Sequence, residues 1–497
     1  MKNIKVSLLF FALLSTLFSA ELDSKKYNVV FIAIDDLNDW IGPLGGNPQA
    51  KTPNFDQFAK ESITFNKAYC PSTVCGPSRS AILLGKYCYN TGVYGNETNL
   101  KDAPLAKDLE TLPEYFGNRG YHTLSSGKIF HKHRKSDGTM DHMAWAFHEH
   151  VPENAKKWGL EWEILPKLEG VKAYGGDVKW GATQGKLEET KDYVTMDWGA
   201  KQLNRDFQGK PFFIALGISQ PHLPWNVPQE FFDRYPLEDI ILPEIKMDDY
   251  EDILTKDGKP VYGKEDASFT ILEHHKMHRD ATRAYLANVS YVDACLGHFL
   301  DQLKKSPCYE NTIVVIWSDH GWHLGEKKRY GKVNFWEESA RIPFFMRVPN
   351  LSPEGVQSDA VVNLVDMYPT LLDLCGLPAN QENDGRSLVP VLKDPSIEWN
   401  EPTVITWQRN NHGITDGKFK YIYYGKSNGA EEFYDLKTDP YEHTNLVRNP
   451  EFSQLVDQYR KYLPKTNVPT SPLNKNHKGY IKRMKELQEK KKQKSKS

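Results

Sequence analysis

Val29-Val30-Phe31-Ile32-Ala33-Ile34-Asp35-Asp36 is the stretch that decides the fold. Its first six residues are apolar, mostly β-branched or aromatic, and offer no polar face to water. A run this short and this apolar is a strand buried on both faces, and the two aspartates mark where it leaves the core. Residues 212–217 (FFIALG) and 313–317 (IVVIW) have the same texture, and Asp319 closely follows the second. Helical patterns lie between the strands. Residues 111–119 begin Thr-Leu-Pro-Glu, while 280–304 and 364–375 carry apolar residues at helical spacing. Strands alternating with helices predict an α/β fold: one large, mostly parallel sheet flanked by helices. Ligands of such sheets bind outside the carboxyl ends of the strands, which is where the acidic residues fall.

Past Asp394 the pattern changes. Residues 404–407, 419–424 and 432–434 are β-rich runs separated by Gly and Asn turns. They predict a smaller C-terminal antiparallel-sheet subdomain with a helix, over 395–474, after a main domain over 25–394. Residues 475–497 are rich in Lys, Glu and Gln and read as a solvated Lys-rich tail, with a hold on an acidic polymer as the other reading. Residues 238–268 are polar and predict a long surface excursion. Residues 158–191 form a second loop that would shape access to the site.

At the other end, Lys2 and Lys5 precede an apolar run that closes on Ser19-Ala20. This is the pattern of a signal peptide over residues 1–20 and predicts a secreted or periplasmic protein. No later run is apolar enough for a membrane span. Lys and Arg total 63 against 65 Asp and Glu, so there is no global basic field for nucleic acid. The six cysteines, at 70, 75, 88, 295, 308 and 375, show neither paired CxxC zinc spacing nor a dense disulfide framework.

One cysteine stands in a distinctive setting. Cys75-Gly76-Pro77-Ser78-Arg79 reads as a loop entering a helix, with Cys75 at the helix N-terminus, where free N–H groups and the helix dipole favour anions. This C-x-P-S-R core, extended through Gly85-Lys86-Tyr87, resembles that of the type I sulfatases, a family within the alkaline phosphatase superfamily. There the motif directs oxidation of the cysteine to formylglycine by a maturation enzyme. Asp319-His320-Gly321 resembles the family's second metal motif, with His320 in the manner of the iduronate-2-sulfatase branch. Gly120-Tyr121-His122-Thr123, Gly127-Lys128 with His131, Pro221-His222, Lys332 and the segment 433–446 resemble further family motifs.

The resemblance implies residue roles. Asp35, Asp36, Asp319, His320 and the modified Cys75 would hold one Ca²⁺, with Mg²⁺ as the alternative; hard oxygen donors suit either ion. Lys128 and Lys332 would bind the sulfate, Arg79 would steady formylglycine, His131 would contact it, and His222 would protonate the leaving oxygen. His323 would touch substrate. Gln220 stands where the branch has a Lys that contacts a substrate carboxylate, so that contact would be lost or moved. The implied reaction is sulfate ester hydrolysis on a sulfated saccharide, through a formylglycine sulfate ester. Algal polymers such as ulvan or carrageenan are favoured. A glycosaminoglycan 2-O-sulfatase, a phosphonate or phosphate ester hydrolase, and a non-catalytic sulfated-glycan binder stay open. If Cys75 is consumed, five cysteines remain and at least one is unpaired.

Overall fold

The computed structural model describes residues 27–98, 100–131, 146–147, 149–151, 163–164, 178–262, 266–399 and 401–471. The expected signal peptide and Lys-rich tail lie outside them, as does most of the 158–191 loop before Val178.

The central sheet has eight strands: β1 (Asn28–Ile34), β2 (Ile63–Tyr69), β3 (His122–Gly127), β4 (Glu149–Val151), β5 (Phe212–Ile218), β6 (Thr312–Ser318), β7 (Phe344–Arg347) and β8 (Val356–Asn363). Their order across the sheet is β8-β2-β7-β6-β1-β5-β3-β4. All neighbours are parallel except β7, which runs antiparallel to both β2 and β6. Strand β1 sits at the centre, with Val29–Ile34 in register with both flanking strands.

Alternation along β1 splits its residues between two cores. Val30, Ile32 and Ile34 pack on one face with the long helix His278–Lys305. Val29, Phe31 and Ala33 pack on the other with the helices Cys75–Leu84 and Met367–Leu374. Both faces being covered, the strand reads as an unbroken apolar run. The expected helix at 111–119 forms as Leu112–Gly117. Its start is fixed by a capping box in which Thr111 N–H donates to Glu114 Oε2 at 2.8 Å.

A second, four-stranded antiparallel meander comprises Thr403–Thr406, Asn411–Thr415, Phe419–Tyr424 and Ala430–Asp435. One face packs on the helix Ser453–Arg460 through Tyr421, Phe433, Val456 and Tyr459. The other packs through Ile405, Ile422 and Tyr434 on Tyr69 and Trp336 of the main body.

One expectation needs correction. The 238–268 segment is no free surface excursion: Tyr250 and Ile253 are buried against Trp336 between the two sheets. Asp249 there pairs with buried Lys327 at 2.9 Å, and the Tyr250 hydroxyl donates to the Lys327 carbonyl. Two apolar anchors in a polar stretch hold it down. Of the 158–191 loop, Lys179–Thr183 is a strand pairing with Trp225–Pro228. No described helix is long and apolar enough to cross a membrane.

Candidate active site

Four parallel neighbours, β6, β1, β5 and β3, deliver the site residues from their carboxyl ends: Asp319 and His320, Asp35 and Asp36, His222, and Lys128. In an extended strand Asp35 and Asp36 would point to opposite faces. Asp36 instead has φ 63°, a left-handed turn, and both carboxylates, fully buried, reach one cluster. At the end of β5, a Cβ on Gly217 would lie 2.3 Å from the Lys128 backbone, so only glycine lets the β3–Lys128 turn cross there.

Cys75 opens its helix after Val74, which has no side-chain cap. Asn96 supplies what is missing: its Oδ1 accepts from the Gly76 N–H at 2.7 Å. All ten residues Cys75–Leu84 are buried. The Cys75 Sγ has Lys332 Nζ at 3.1 Å and His320 Nε2 at 3.2 Å. Burial would raise its thiol pKa, but Lys332, Lys128, His320 and a hydrogen bond from His131 hold it well below the usual range. The sulfur thus lies where positive groups converge.

The acids pair with these cations. Lys128 Nζ contacts Asp35 Oδ2, and Lys332 Nζ lies 2.5 Å from Asp36 Oδ1. Fully buried Arg79 places Nε 2.7 Å from Asp319 Oδ2 and Nη2 3.5 Å from Asp35 Oδ1, and donates through Nη1 to the carbonyls of Lys128 and Ile129. Ser78 Oγ donates to the Asp319 carbonyl at 2.6 Å. His222 Nδ1 is engaged by the Leu223 carbonyl at 2.6 Å. Burial opposes its protonation, yet Asp36 and Asp35 outweigh burial and raise its pKa. His320 is likewise raised, to about 8, with Asp319 overcoming burial. His131 is mostly buried, and burial lowers its pKa although Cys75 opposes this.

A metal ion fits this donor set. Ligand atoms of Asp35, Asp36, Cys75 and His320 lie within 4.8 Å of one another. Asp35 Oδ1 and Asp36 Oδ2 are buried with no hydrogen-bond partner, which two desolvated carboxylate oxygens do not tolerate without a cation. The Cys75 sulfur here stands in for the oxygen that formylglycine would present, so the oxygen-rich set suits Ca²⁺ or Mg²⁺.

Three expected site residues are placed differently. Asp319 lies outside the four-residue group: Oδ2 faces Arg79, whose buried guanidinium needs a carboxylate, and Oδ1 accepts from the Asp36 N–H at 3.3 Å. His323 is fully buried, with Nδ1 2.9 Å from Ser339 Oγ and its ring edge-on to Trp336, away from any substrate. Burial holds it neutral, with Arg329 and Lys327 adding to the effect. Gln220 folds back, donating from Nε2 to the Pro224 carbonyl at 3.2 Å and to Asn226 Oδ1 at 3.1 Å, and so braces its own loop. The remaining expected residues (Cys75, Arg79, Lys128, His131, His222, Lys332, Asp35, Asp36 and His320) come together. Asn96 and Ser78 were not singled out from the sequence. Ser78 sits inside the C-x-P-S-R motif, whereas Asn96 carries no sequence signal.

Comparison with known proteins agrees with this arrangement. The Sulfatase family profile matches residues 27–377, about seven-tenths of the chain. The chain belongs to the sulfatase family. A second profile, N-sulphoglucosamine sulphohydrolase C-terminal, matches residues 325–468 of this sulfatase. A sulfatase of Formosa agariphila is 38% identical over 453 residues, covering 89% of this chain and 87% of that protein. An ulvan-active sulfatase of the same organism is 28% identical over 454 residues, covering 87% and 79%. A solved structure described as a complex with its substrate D-glucosamine-2-N,6-O-disulfate has a TM-score of 0.68 at 23% identity. It covers 88% of this chain and 97% of that one. The enzyme therefore hydrolyses sulfuric esters, on an alkaline phosphatase-like sheet with a separate small antiparallel sheet.

Proposed function

We propose that this sulfatase acts on a sulfated carbohydrate, with a polysaccharide such as ulvan or carrageenan or its oligosaccharides favoured, after Cys75 is converted to formylglycine. The observation that carries the reading is the convergence of Lys332, His320, Lys128 and His131 on one buried Cys75 at a helix N-terminus. The sulfated-sugar class draws support from the relative that is ulvan-active and the neighbour solved with a sulfated glucosamine. Export through a signal peptide at 1–20, a catalytic domain over 25–394 and a C-terminal subdomain over 395–474 belong to the same proposal.

A sulfate monoester needs a nucleophile, neutralisation of its oxygens and a proton for the departing sugar oxygen. Hydrated formylglycine supplies two hydroxyls on one carbon, one to attack sulfur and one whose deprotonation lets sulfate go. Asp35, Asp36 and His320 would hold the Ca²⁺, which supplies added positive charge beside the nucleophile. Lys128 and Lys332 neutralise the sulfuryl oxygens. His222, with Nδ1 held by Leu223, presents Nε2 and delivers its proton to the leaving oxygen. His131 takes the proton from the second hydroxyl. Arg79 holds the Asp35 and Asp319 carboxylates and the Lys128 turn in place.

The test is the mass of the tryptic peptide spanning residues 68–79, made in a host with a formylglycine-generating enzyme, with turnover measured on sulfate esters and phosphate diesters. Formylglycine with preferred sulfate release supports the reading. A bare thiol favours a sulfated-glycan binder, and preferred diester cleavage favours phosphorus chemistry.

A further inference from the structure

The near-neutral charge of the chain conceals a division. Of 63 Lys and Arg, ten lie in residues 475–497 (nine Lys and Arg483), against only Glu486 and Glu489 of the 65 acids. That leaves 53 basic against 63 acidic residues over 1–474, so an acidic body of net −10 carries a segment of net +8. A sulfated polymer is negative along its length. At distances beyond the contact range, the field of an acidic body opposes its approach. The active-site cations do not reverse this, because Lys128, Lys332 and Arg79 are each paired with an acid.

The structure fixes where the basic segment departs. Residues 467–471 form a strap across the segment that follows the Cys75 helix. The Val468 N–H donates to the Tyr89 carbonyl at 3.0 Å, and the Ser471 N–H to the Gly92 carbonyl at 2.8 Å. The Tyr94 hydroxyl donates to the Val468 carbonyl at 3.1 Å. From the meander, Arg409 donates to the Asn467 carbonyl at 3.0 Å, and His412 Nε2 meets Asn467 Oδ1 at 2.8 Å. The strapped segment adjoins the nucleophile: Cys88 Sγ contacts the Pro77 carbonyl at 3.6 Å, and Asn96, four residues past Gly92, holds Gly76. Ser471 is therefore anchored at the border of the catalytic helix, four residues before Lys475.

We propose that residues 475–497 are a polycationic arm that grips the sulfated polymer beside the active site. The inference rests on the sulfated-polysaccharide reading above. Lysine ammonium groups bind a polyanion by charge, with little demand for sequence or linkage. Twenty-three residues reach at most about 80 Å, so a polymer held by the arm meets the site at raised effective concentration. The arm acts on binding of long chains and leaves the chemistry at Cys75 untouched.

The test compares the full chain with one ending at Ser471, which keeps the strap, and with a full-length variant carrying Lys490→Gln, Lys491→Gln, Lys492→Gln, Lys494→Gln and Lys496→Gln. Binding to ulvan, carrageenan, anionic lipid vesicles and duplex DNA is measured in a Cys75→Ala background, so that turnover plays no part. Turnover is measured separately on the polymers and on p-nitrophenyl sulfate. Truncation is expected to weaken sulfated-polymer binding about tenfold or more at low salt. The difference should fade near 0.5 M salt, where screening is short-ranged (about 4 Å), with the glutamine variant intermediate. Polymer KM should rise while p-nitrophenyl sulfate turnover stays the same. Equal polymer affinity in full and truncated chains overturns the proposal, as does a loss confined to vesicles or DNA. A full chain that binds polymer through the arm but releases no sulfate from any ester sinks the substrate reading alone.

Discussion

Two clusters of buried charge, built from the same residue types, do different work in this molecule. One gathers Asp35, Asp36 and Asp319 with Lys128, Lys332 and Arg79 around Cys75. The other fastens the small sheet to the body: Lys420 pairs with Glu337 at 2.5 Å and Glu442 at 3.2 Å, and Lys327 with Asp249 at 2.9 Å. Glu432 there accepts from Trp336 Nε1 at 2.9 Å. The fastening cluster is sealed, its lysine side chains 0% and 2% exposed, whereas Lys128 and Lys332 are 15% and 13% exposed. It also closes on itself. The active-site cations instead converge on one sulfur, and two carboxylate oxygens there are left without partners. Buried charge alone marks neither a site nor a function; convergence on one reactive atom, with an opening, does.

The contrast can be broken most completely at its focus. Cys75→Ser is expected to abolish multiple turnover, because a serine sulfate ester has no second hydroxyl with which to release sulfate. Intact-protein mass spectrometry after substrate exposure should show one added sulfuryl group, and sustained turnover would contradict the account. Lys332→Ala and Lys128→Ala come next, each lowering kcat/KM by about 10²–10³ or more, as for loss of a charge-stabilising donor. Their folds should persist, since both lysines sit at the opening.

Lys420→Met tests the sealed cluster and should give the opposite pattern. It leaves Glu337 and Glu442 buried without their cation, at a cost of about 3–5 kcal/mol, read as a lower denaturant midpoint. Specific activity of the folded fraction should hold. The smallest effect concerns pH. His412, buried against Asn467, is pushed down to about 4 by burial, from an ordinary 6.5. Above pH 6.5 it is neutral in both states. As pH falls from 6.5 to 4 the unfolded chain takes up a proton that the folded chain refuses, so stability drops by up to about 3 kcal/mol and then levels off. His412→Phe should flatten that part of the stability–pH curve while removing the Asn467 contact at all pH values.

What the sequence made legible follows from range. The octet at 29–36 and the runs at 212–217 and 313–317 are apolar on both faces, so the sheet's centre could be read directly. Outer strands such as β2 (ITFNKAY) and β3 (HTLSSG) mix polar residues into the pattern and were not singled out. Short motifs around Cys75, Lys128 and Asp319 gave most of the cluster, since neighbours in sequence share a strand end. Contacts set by distant packing were not legible. Asn96 reaches Gly76 across a loop, Arg79 takes the Asp319 carboxylate across the sheet, and Tyr250 pulls a polar segment into an interface. His323 and Gln220 belong to the same class, because each is turned inward by partners that spacing does not reveal.

The most direct test measures free sulfate released from a panel of sulfated polysaccharides and their oligomers by the matured enzyme, beside a Cys75→Ala control. The account predicts release from at least one of them and none from the control. Equal release by the control, or none by an enzyme shown to carry formylglycine at position 75, would contradict it.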